Sequence, residues 1–599
     1  MVRGPAIVLM LVFGCGGTEP VAPIVAAKPL SPPSPAAAPP RPCALGVPDA
    51  ACTVANLHRC ADGEGSRSGE WRYALVTSSF DPTDDVSVET LQAAWRRGEI
   101  TASTDTEAVL TGTLGPRGPG PRIAAGQTPL VDDRHWAIVP AHELVPSWTV
   151  LTVGGAHPLL AIEGPLSVAL CGARAPVHNV DPAHLTALVM SGTTALTGRT
   201  AERIDSSGIA DTVRHIQPFF ASADLVHVSN EVAFVKGCKP RTGQKELIFC
   251  ARDRYVELLE ALHVTLIELT GSHLIDYGHR SLERTIDMYE QRGWRWFGGG
   301  RTQLEASEPR IVEDHGNKLA FVGCNAVNWW IKAIYTGSGT ANCDWPRMVW
   351  QIQDLRRRGF TPIATVQHRE LRTHAPPADL VRDLRRLAEA GAVFVEGSQA
   401  HVAHPWDVHY GAYVHYGPGN ILFAQDRDLQ RDATVDKLFI LDGRLLSVAH
   451  LFTRTEHGQP RLLTPRERTH FLGELERAAR AIEPPQPATL PVLPALGRVR
   501  PDSVVVAGRA QRLSVTAPAR IELNVRYPLV VDLAVTSPAK PNAFVVVRTG
   551  TALATGAQIA EYMRAKYPID PELQTITLAP ESIVVPRHRS HRRRRVAAS

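Results

Sequence analysis

Between residues 181 and 482 the apolar positions of the chain follow two different periods in turn. Tyr255, Leu258, Leu259 and Leu262 fall at i, i+3, i+4 and i+7, the stripe of a helix lying on a core. Leu282/Ile286/Tyr289, Met348/Ile352/Leu355 and Leu380/Leu384/Leu387 repeat that spacing. Between the stripes lie short apolar runs without a helical period, at residues 264–269, 318–322, 362–366 and 392–395. Runs of that length predict buried strands, and strands alternating with helices predict a layered α/β sheet. Thr464-Pro465-Arg466-Glu467 predicts the start of the last helix of this region. It places a capping threonine first, proline at the first helical position and glutamate three residues after the cap.

The flanks read differently. Residues 43–180 carry β-like runs at 71–76 and 148–153 among Gly/Pro-rich loops, which predicts a small mixed α/β leader domain. A proline-rich stretch at 484–494 marks a linker over 483–500. Beyond it, Val/Ile-rich runs at 504–506, 520–525, 529–535 and 544–547 predict a compact β-rich domain over 501–586, with one helix near 557–566. A basic tail, 587–599, closes the chain.

At the other end, Arg3 precedes an apolar run over residues 6–13, too short to span a bilayer, and this predicts a signal peptide at 1–14. Val12-Phe13-Gly14-Cys15 resembles the lipobox of bacterial lipoproteins, which implies lipidation of Cys15. Nine of the 23 residues from 20 to 42 are proline, the composition of a stiff spacer, so 15–42 reads as a lipid-anchored linker. The expected location is therefore extracytoplasmic: a lipoprotein of a bacterial cell envelope, held on the membrane through its N-terminal lipid. Past the N-terminus no apolar stretch reaches 18 residues, which excludes a polytopic membrane protein.

Composition sharpens this. Apolar residues make up 44% and charged residues 21%, ordinary globular usage. The net charge is +4, and the tail alone holds six arginines, so the folded part is near neutral and nucleic acid is not an expected partner. Setting Cys15 aside leaves eight cysteines, the count for four disulfides in an exported chain. Cys238 with Cys250 and Cys324 with Cys343 make plausible short loops. Cys43, Cys52, Cys60 and Cys171 can pair in three ways, and spacing does not choose among them. With no C-x-x-C spacing, a zinc cluster of cysteines is not indicated.

Candidate chemistry sits at strand ends, where loops of an α/β sheet converge on a crevice. Five such loops are polar: Ser229-Asn230-Glu231, Thr270 to Gly278 with His273 and Asp276, Gln367-His368-Arg369-Glu370, Ser398-Gln399-Ala400-His401, and Gly419-Asn420. Any one alone reads as a turn; five in register read as a site. Carboxylate, imidazole and amide groups there suit a divalent cation or a polar substrate.

In chain order, Ser191-Gly192-Thr193-Thr194, Asn230-Glu231, His273…Asp276-Tyr277-Gly278, Gly298-Gly299-Gly300, Gly397…His401 and Tyr416-Gly417…Gly419-Asn420 resemble the CapA-type poly-γ-glutamate capsule-synthesis family. The resemblance covers roughly residues 185–475. It implies a fold similar to the calcineurin-like metallophosphoesterases: a layered β-sandwich flanked by helices, here between an N-terminal mixed domain and a small C-terminal β-rich domain. Against the family's pattern, Thr193 replaces an aspartate, Ser272 an asparagine, Gln367 a histidine, and Ser398-Gln399 a histidine pair. Two cations about 3.5–4 Å apart need an anionic bridge and several imidazoles. The remaining set implies a divergent site with one divalent ion at most, held by Glu231, His273 and His401. Thr194, Asn230, Gln367, Gln399 and Asn420 would then bind substrate, and His273, Asp276 and Glu370 would carry catalysis if there is any.

Three functions stay open. One is handling of an anionic extracellular polymer, poly-γ-glutamate or similar, in synthesis, anchoring or export. Another is metal-dependent hydrolysis of phosphoester or polymer amide bonds, and the third is a non-catalytic envelope scaffold.

Overall fold

The computed structural model describes residues 58–482, apart from 61–66, 124–128, 130, 132–134, 162–163, 172–176, 240–246, 328, 335, 370 and 426–427. Beyond residue 482 it describes the backbone of eight strands, from Ser503–Val506 to Arg595–Val596. The signal peptide, Cys15, Cys43, Cys52, the linkers and the helix expected near 557–566 lie outside the described residues, as does Glu370.

The apolar runs of the central region become strands, labelled in chain order β1 (Leu185–Ser191), β2 (Leu225–Asn230), β3 (Leu266–Glu268), β4 (Arg295–Phe297), β5 (Asn317–Asn325), β6 (Thr361–Gln367), β7 (Phe394–Glu396), β8 (Ala412–His415), β9 (Asp432–Leu441) and β10 (Arg444–Glu456). They form two sheets. The first runs β4-β3-β2-β1-β9-β10, with Gln459–Leu462 at its edge. Its strands β1 to β4 are parallel, and β9 returns antiparallel against β1. In the second sheet β5, β6, β7 and β8 are parallel, with Arg310–Asp314 and Trp406–His409 as antiparallel edges.

Period-2 alternation sorts the side chains of each strand between two faces. Leu188, Met190, Leu266, Phe321, Ile363, Phe394, Tyr413, Leu438 and Ile440 meet in one core between the sheets. The opposite phase faces outward. Val226, Val228 and Ile267 pack with Leu282, Ile286 and Tyr289 of the helix His279–Glu290. Ala364, Val366 and Val395 pack with Leu380, Leu384 and Leu387 of the helix Ala378–Glu389. Each leucine buried in this way contributes about 1.5–3 kcal/mol. The result is four layers, helix–sheet–sheet–helix, which is the layered α/β sandwich expected from the sequence.

Local signals behave as their chemistry demands. Thr464 and Glu467 form the reciprocal capping box on the helix Pro465–Ala481. The stripe at 255–262 is shorter than a regular helix of that span, opening as a 3-10 turn, Asp253–Tyr255, before the helix Val256–Ala261.

Residues before β1 build a separate sheet in which Arg67–Thr77 lies between Ser167–Cys171 and Trp136–Pro140. It has its own core around Trp71, Leu91, Trp95 and Leu151. A second cluster joins it to the central sandwich through Ala74, Val139, Leu185, Phe439 and Leu446. Phe80 stacks on Trp406 at 4.7 Å across the same seam. Disulfides link Cys60–Cys171, Cys238–Cys250 and Cys324–Cys343. Among the described residues no helix is long and apolar enough to cross a membrane.

Candidate functional site

Because β1–β3 and β5–β8 are parallel within their sheets, their carboxyl ends gather polar loops at one mouth of the sandwich. The short strand Thr193–Thr194 bridges Ser229-Asn230 on one side and Asn420-Leu422 on the other. The Glu231 amide donates to the Thr194 carbonyl at 2.9 Å, and Ser272 Oγ donates to Glu231 Oε1 at 2.9 Å. Val232 bridges His273, so the loop after β2 and the loop after β3 lie side by side. Gly271 makes this approach possible, since a Cβ there would stand 2.5 Å from Glu231 Cα.

Two imidazoles face this mouth in a fixed orientation. His401 Nδ1 lies 2.8 Å from Asn420 Oδ1, an oxygen that only accepts, so that nitrogen donates, and Nε2 lies 4.0 Å from Glu231 Oε2. His273 Nδ1 lies 2.7 Å from Asp276 Oδ2, which also accepts the Phe249 amide at 2.7 Å. Phe249 and Phe423 fill the space between the rings, with Phe249 edge-on to His273 at 4.6 Å and Phe423 edge-on to His401 at 5.4 Å. Glu231 is fully buried, and its Oε2 has no hydrogen-bond partner among the described residues.

From Gln399 at the mouth a second polar web continues down between the sheets. Gln399 Nε2 donates to Ser229 Oγ at 2.5 Å, while its Oε1 is left without a hydrogen bond among the described residues. Asn325 Nδ2 donates to Gln367 Oε1 at 2.6 Å and to the Thr270 carbonyl at 2.9 Å. Thr270 and Ser398 hydroxyls both donate to Glu268 Oε1 at 2.5 Å, and His227 Nε2 lies 3.3 Å from Glu268 Oε2. Burial acts against the Glu268 charge. The His227 imidazole with those two hydroxyls nonetheless holds its carboxyl below the usual range.

The structure thus brings Thr194, Glu231, Gln399, His401 and Asn420 to one mouth, with His273 and Asp276 on the adjoining loop and Gln367 on the web beneath. Asn230 points away from the mouth through its Nδ2. The alternation that turns His227 and Ser229 inward turns Asn230 outward, where its Nδ2 donates to Tyr289 OH at 2.8 Å and the Val232 carbonyl at 2.7 Å. Asn420 is committed as well. Its oxygen holds His401 and its Nδ2 reaches Gln425 Oε1 and the Gln430 carbonyl, both at 3.2 Å, so it positions the ring.

Sequence reasoning missed Glu268, Glu396, His415 and Asp436. The available signal was a charged or imidazole residue at the inward phase of an otherwise apolar strand, as in 264–269 or 392–396.

A divalent cation fits the mouth in part. Glu231 Oε2 is a buried carboxylate oxygen without a hydrogen bond among the described residues, and His401 Nε2 lies 4.0 Å from it while Nδ1 is tied back to Asn420, the usual support of a ligating imidazole. Neutral Thr193, Ser272 and Gln367 supply no bridging anion for a second ion. Glu231, His273 and His401 do not form a group whose ligand atoms all lie within 4.8 Å of one another; among the described residues such groups are Asp224/Asp314/His315 and Glu396/His415/Asp436.

Residues 187–425 match the family described as bacterial capsule synthesis protein PGA_cap. The capsule biosynthesis protein CapA of Bacillus anthracis is 21% identical over 300 residues, which are 49% of this chain and 72% of that protein. Among solved structures, a 5'-nucleotidase precursor from Thermus thermophilus aligns with a TM-score of 0.30 at 14% identity, over 54% of this chain and 62% of its own. The NAD nucleotidase of Haemophilus influenzae aligns with a TM-score of 0.29 at 10% identity, over 49% of this chain and 56% of its own. The chain therefore spans less than two thirds of either nucleotidase.

Proposed function

Residues 187–425 of this chain belong to the bacterial capsule synthesis protein PGA_cap family, and from that premise we propose that the protein handles an anionic extracellular polymer, poly-γ-glutamate or one like it, during synthesis, anchoring or export. It would do so outside the cytoplasm, in the cell envelope, tethered by a lipid on Cys15. The observation that carries this reading is the composition of the mouth. One buried carboxylate and two oriented imidazoles stand beside amide and hydroxyl groups, with Glu231 Oε2 and Gln399 Oε1 still lacking hydrogen bonds among the described residues.

A polyamide chain offers N–H donors for those two oxygens and carboxylates for a cation or for protonated imidazole. Leaving buried acceptors unmet costs about 1–3 kcal/mol each, so a ligand that meets both gains affinity from groups the fold has already placed. If a divalent ion is held, Glu231 and His401 would hold it, with His273 alongside, and its chemistry would be charge neutralisation of polymer carboxylates and polarisation of a carbonyl.

A second reading, metal-dependent hydrolysis of phosphoester or amide bonds, is favoured by one feature. Asp276 holds the His273 ring at the mouth through Nδ1, the kind of support a general acid–base group needs. Titration of the purified protein with poly-γ-glutamate oligomers, together with assays on those oligomers and on a phosphate ester, separates the readings. His401→Ala and His273→Ala that lose polymer binding by tenfold or more, with no turnover in the parent, support polymer handling. Turnover in the parent that both variants abolish supports hydrolysis. Unchanged binding in both variants, with the fold intact, rejects the mouth as the site and leaves a scaffold.

A further inference from the structure

The sheet interior changes character toward its carboxyl end. Along β7, Phe394 points between the sheets and so, two residues on, does Glu396. Along β8 the same phase carries Tyr413 and then His415, and along β9 it runs Ile440, Leu438, Asp436. Glu396, His415 and Asp436 are each 0% exposed. One donor atom from each lies within 4.8 Å of the other two, and His415 Nδ1 is 2.5 Å from Asp436 Oδ2.

The partners of Asp436 are already satisfied. His450 Nδ1 meets Asp436 Oδ1 at 2.9 Å, and its Nε2 lies 2.9 Å from Tyr413 OH. Glu396 is the exception: neither carboxyl oxygen has a hydrogen-bond partner among the described residues, though both are buried. Two carboxylates and an imidazole converging in a fully buried interior, one carboxyl without a hydrogen bond among the described residues, are a costly arrangement unless a cation lies among them.

We propose that Glu396, His415 and Asp436 bind one divalent transition-metal ion inside the sandwich, at a place distinct from the Glu231–His401 mouth. Two carboxylates neutralise the charge of the ion. The mixed nitrogen and oxygen set suits zinc, manganese or ferrous iron better than calcium or magnesium. The ion takes the place of the proton shared by His415 and Asp436 and gives Glu396 its missing partner. The Tyr413–His450 pair supplies the outer shell that orients Asp436. Because Glu396 and His415 belong to the second sheet and Asp436 to the first, the ion joins the two halves of the sandwich.

The test is metal content and thermal unfolding of the full chain refolded with zinc or manganese and then freed of loosely held ion by a chelator. The parent and the mouth variant His401→Gln should each retain one ion per chain and unfold roughly 5 °C or more above their metal-free forms. Glu396→Gln should retain none at this place and show no such shift. An ion retained equally by folded Glu396→Gln, or lost with His401→Gln alone, overturns the proposal. If Glu396→Gln does not fold, X-ray absorption of the zinc-loaded His273→Gln/His401→Gln double variant decides. A single imidazole with oxygen neighbours is expected, and absence of bound zinc refutes the site.

Discussion

At the scale of single residues the most exposed consequence is a pH dependence. His157 sits at the seam between the leader sheet and the central sandwich, its ring stacked on Phe439 at 4.8 Å. Burial, with the Lys437 charge nearby, pushes its imidazole down to about 3. A histidine whose folded value lies below the unfolded 6.5 disfavours proton uptake on folding, so its full stability is present above pH 6.5 and is lost as the pH falls toward 3. Within that window one such group contributes a slope of about 1.4 kcal/mol per pH unit. His404, which burial likewise pushes down to about 4, acts with the same sign. Urea unfolding across pH 4 to 7 should therefore show a slope that His157→Gln reduces by one proton's worth, while His404 and His142, which burial also pushes down to about 4, keep part of the remainder. An unchanged slope in that variant would mean that His157 is solvated in the folded protein. The Glu396 carboxyl moves the other way: burial, with Asp436 and Glu268 beside it, pushes it well above the usual carboxylate range.

Among elements, the loops after β2 and β3 depend on one absent side chain. Gly271→Ala places a Cβ 2.5 Å from Glu231 Cα and 3.1 Å from the Asn230 carbonyl, against backbone that cannot swing aside. The variant should lose about 1–3 kcal/mol of stability and weaken polymer binding by separating Ser272 and His273 from Glu231. Chemical denaturation and ligand titration read the two effects, and an unaltered affinity would detach this loop from the site. The elements themselves were largely legible. The stripe Leu282/Ile286/Tyr289 lies in the helix His279–Glu290, and the run 362–366 lies within Thr361–Gln367. Fully buried strands announce themselves by unbroken apolar runs, and helices by their period. What could not be read was the face to which each strand end points. Asn230 and Ser229 are equally polar neighbours, and only the position of the helix His279–Glu290 assigns one outward and the other inward. The polar interior was hidden for the same reason: Glu268 and Ser398 meet 130 positions apart, through a packing of two sheets that no local pattern encodes.

For the molecule as a whole, long-range links hold the leader and the sandwich together. Cys60–Cys171 closes a loop of 111 residues around the leader sheet, and Cys60 was one of four cysteines whose partners spacing left open. Replacing both by alanine should destabilise the leader by about 2–5 kcal/mol while the Cys238–Cys250 and Cys324–Cys343 loops keep the sandwich folded. Calorimetry would register this as a separate, earlier transition, whereas a single unshifted transition would show that the bond adds nothing. The proposed polymer site lies across the carboxyl ends of the parallel strands. A crystal structure of the protein with a bound γ-glutamyl oligomer tests it most directly. The oligomer is expected to be ordered across those carboxyl ends, with its amides on Glu231 and Gln399 and its carboxylates toward His273 and His401. An oligomer seated on the leader sheet, or on the outer helices with the mouth closed, would contradict it.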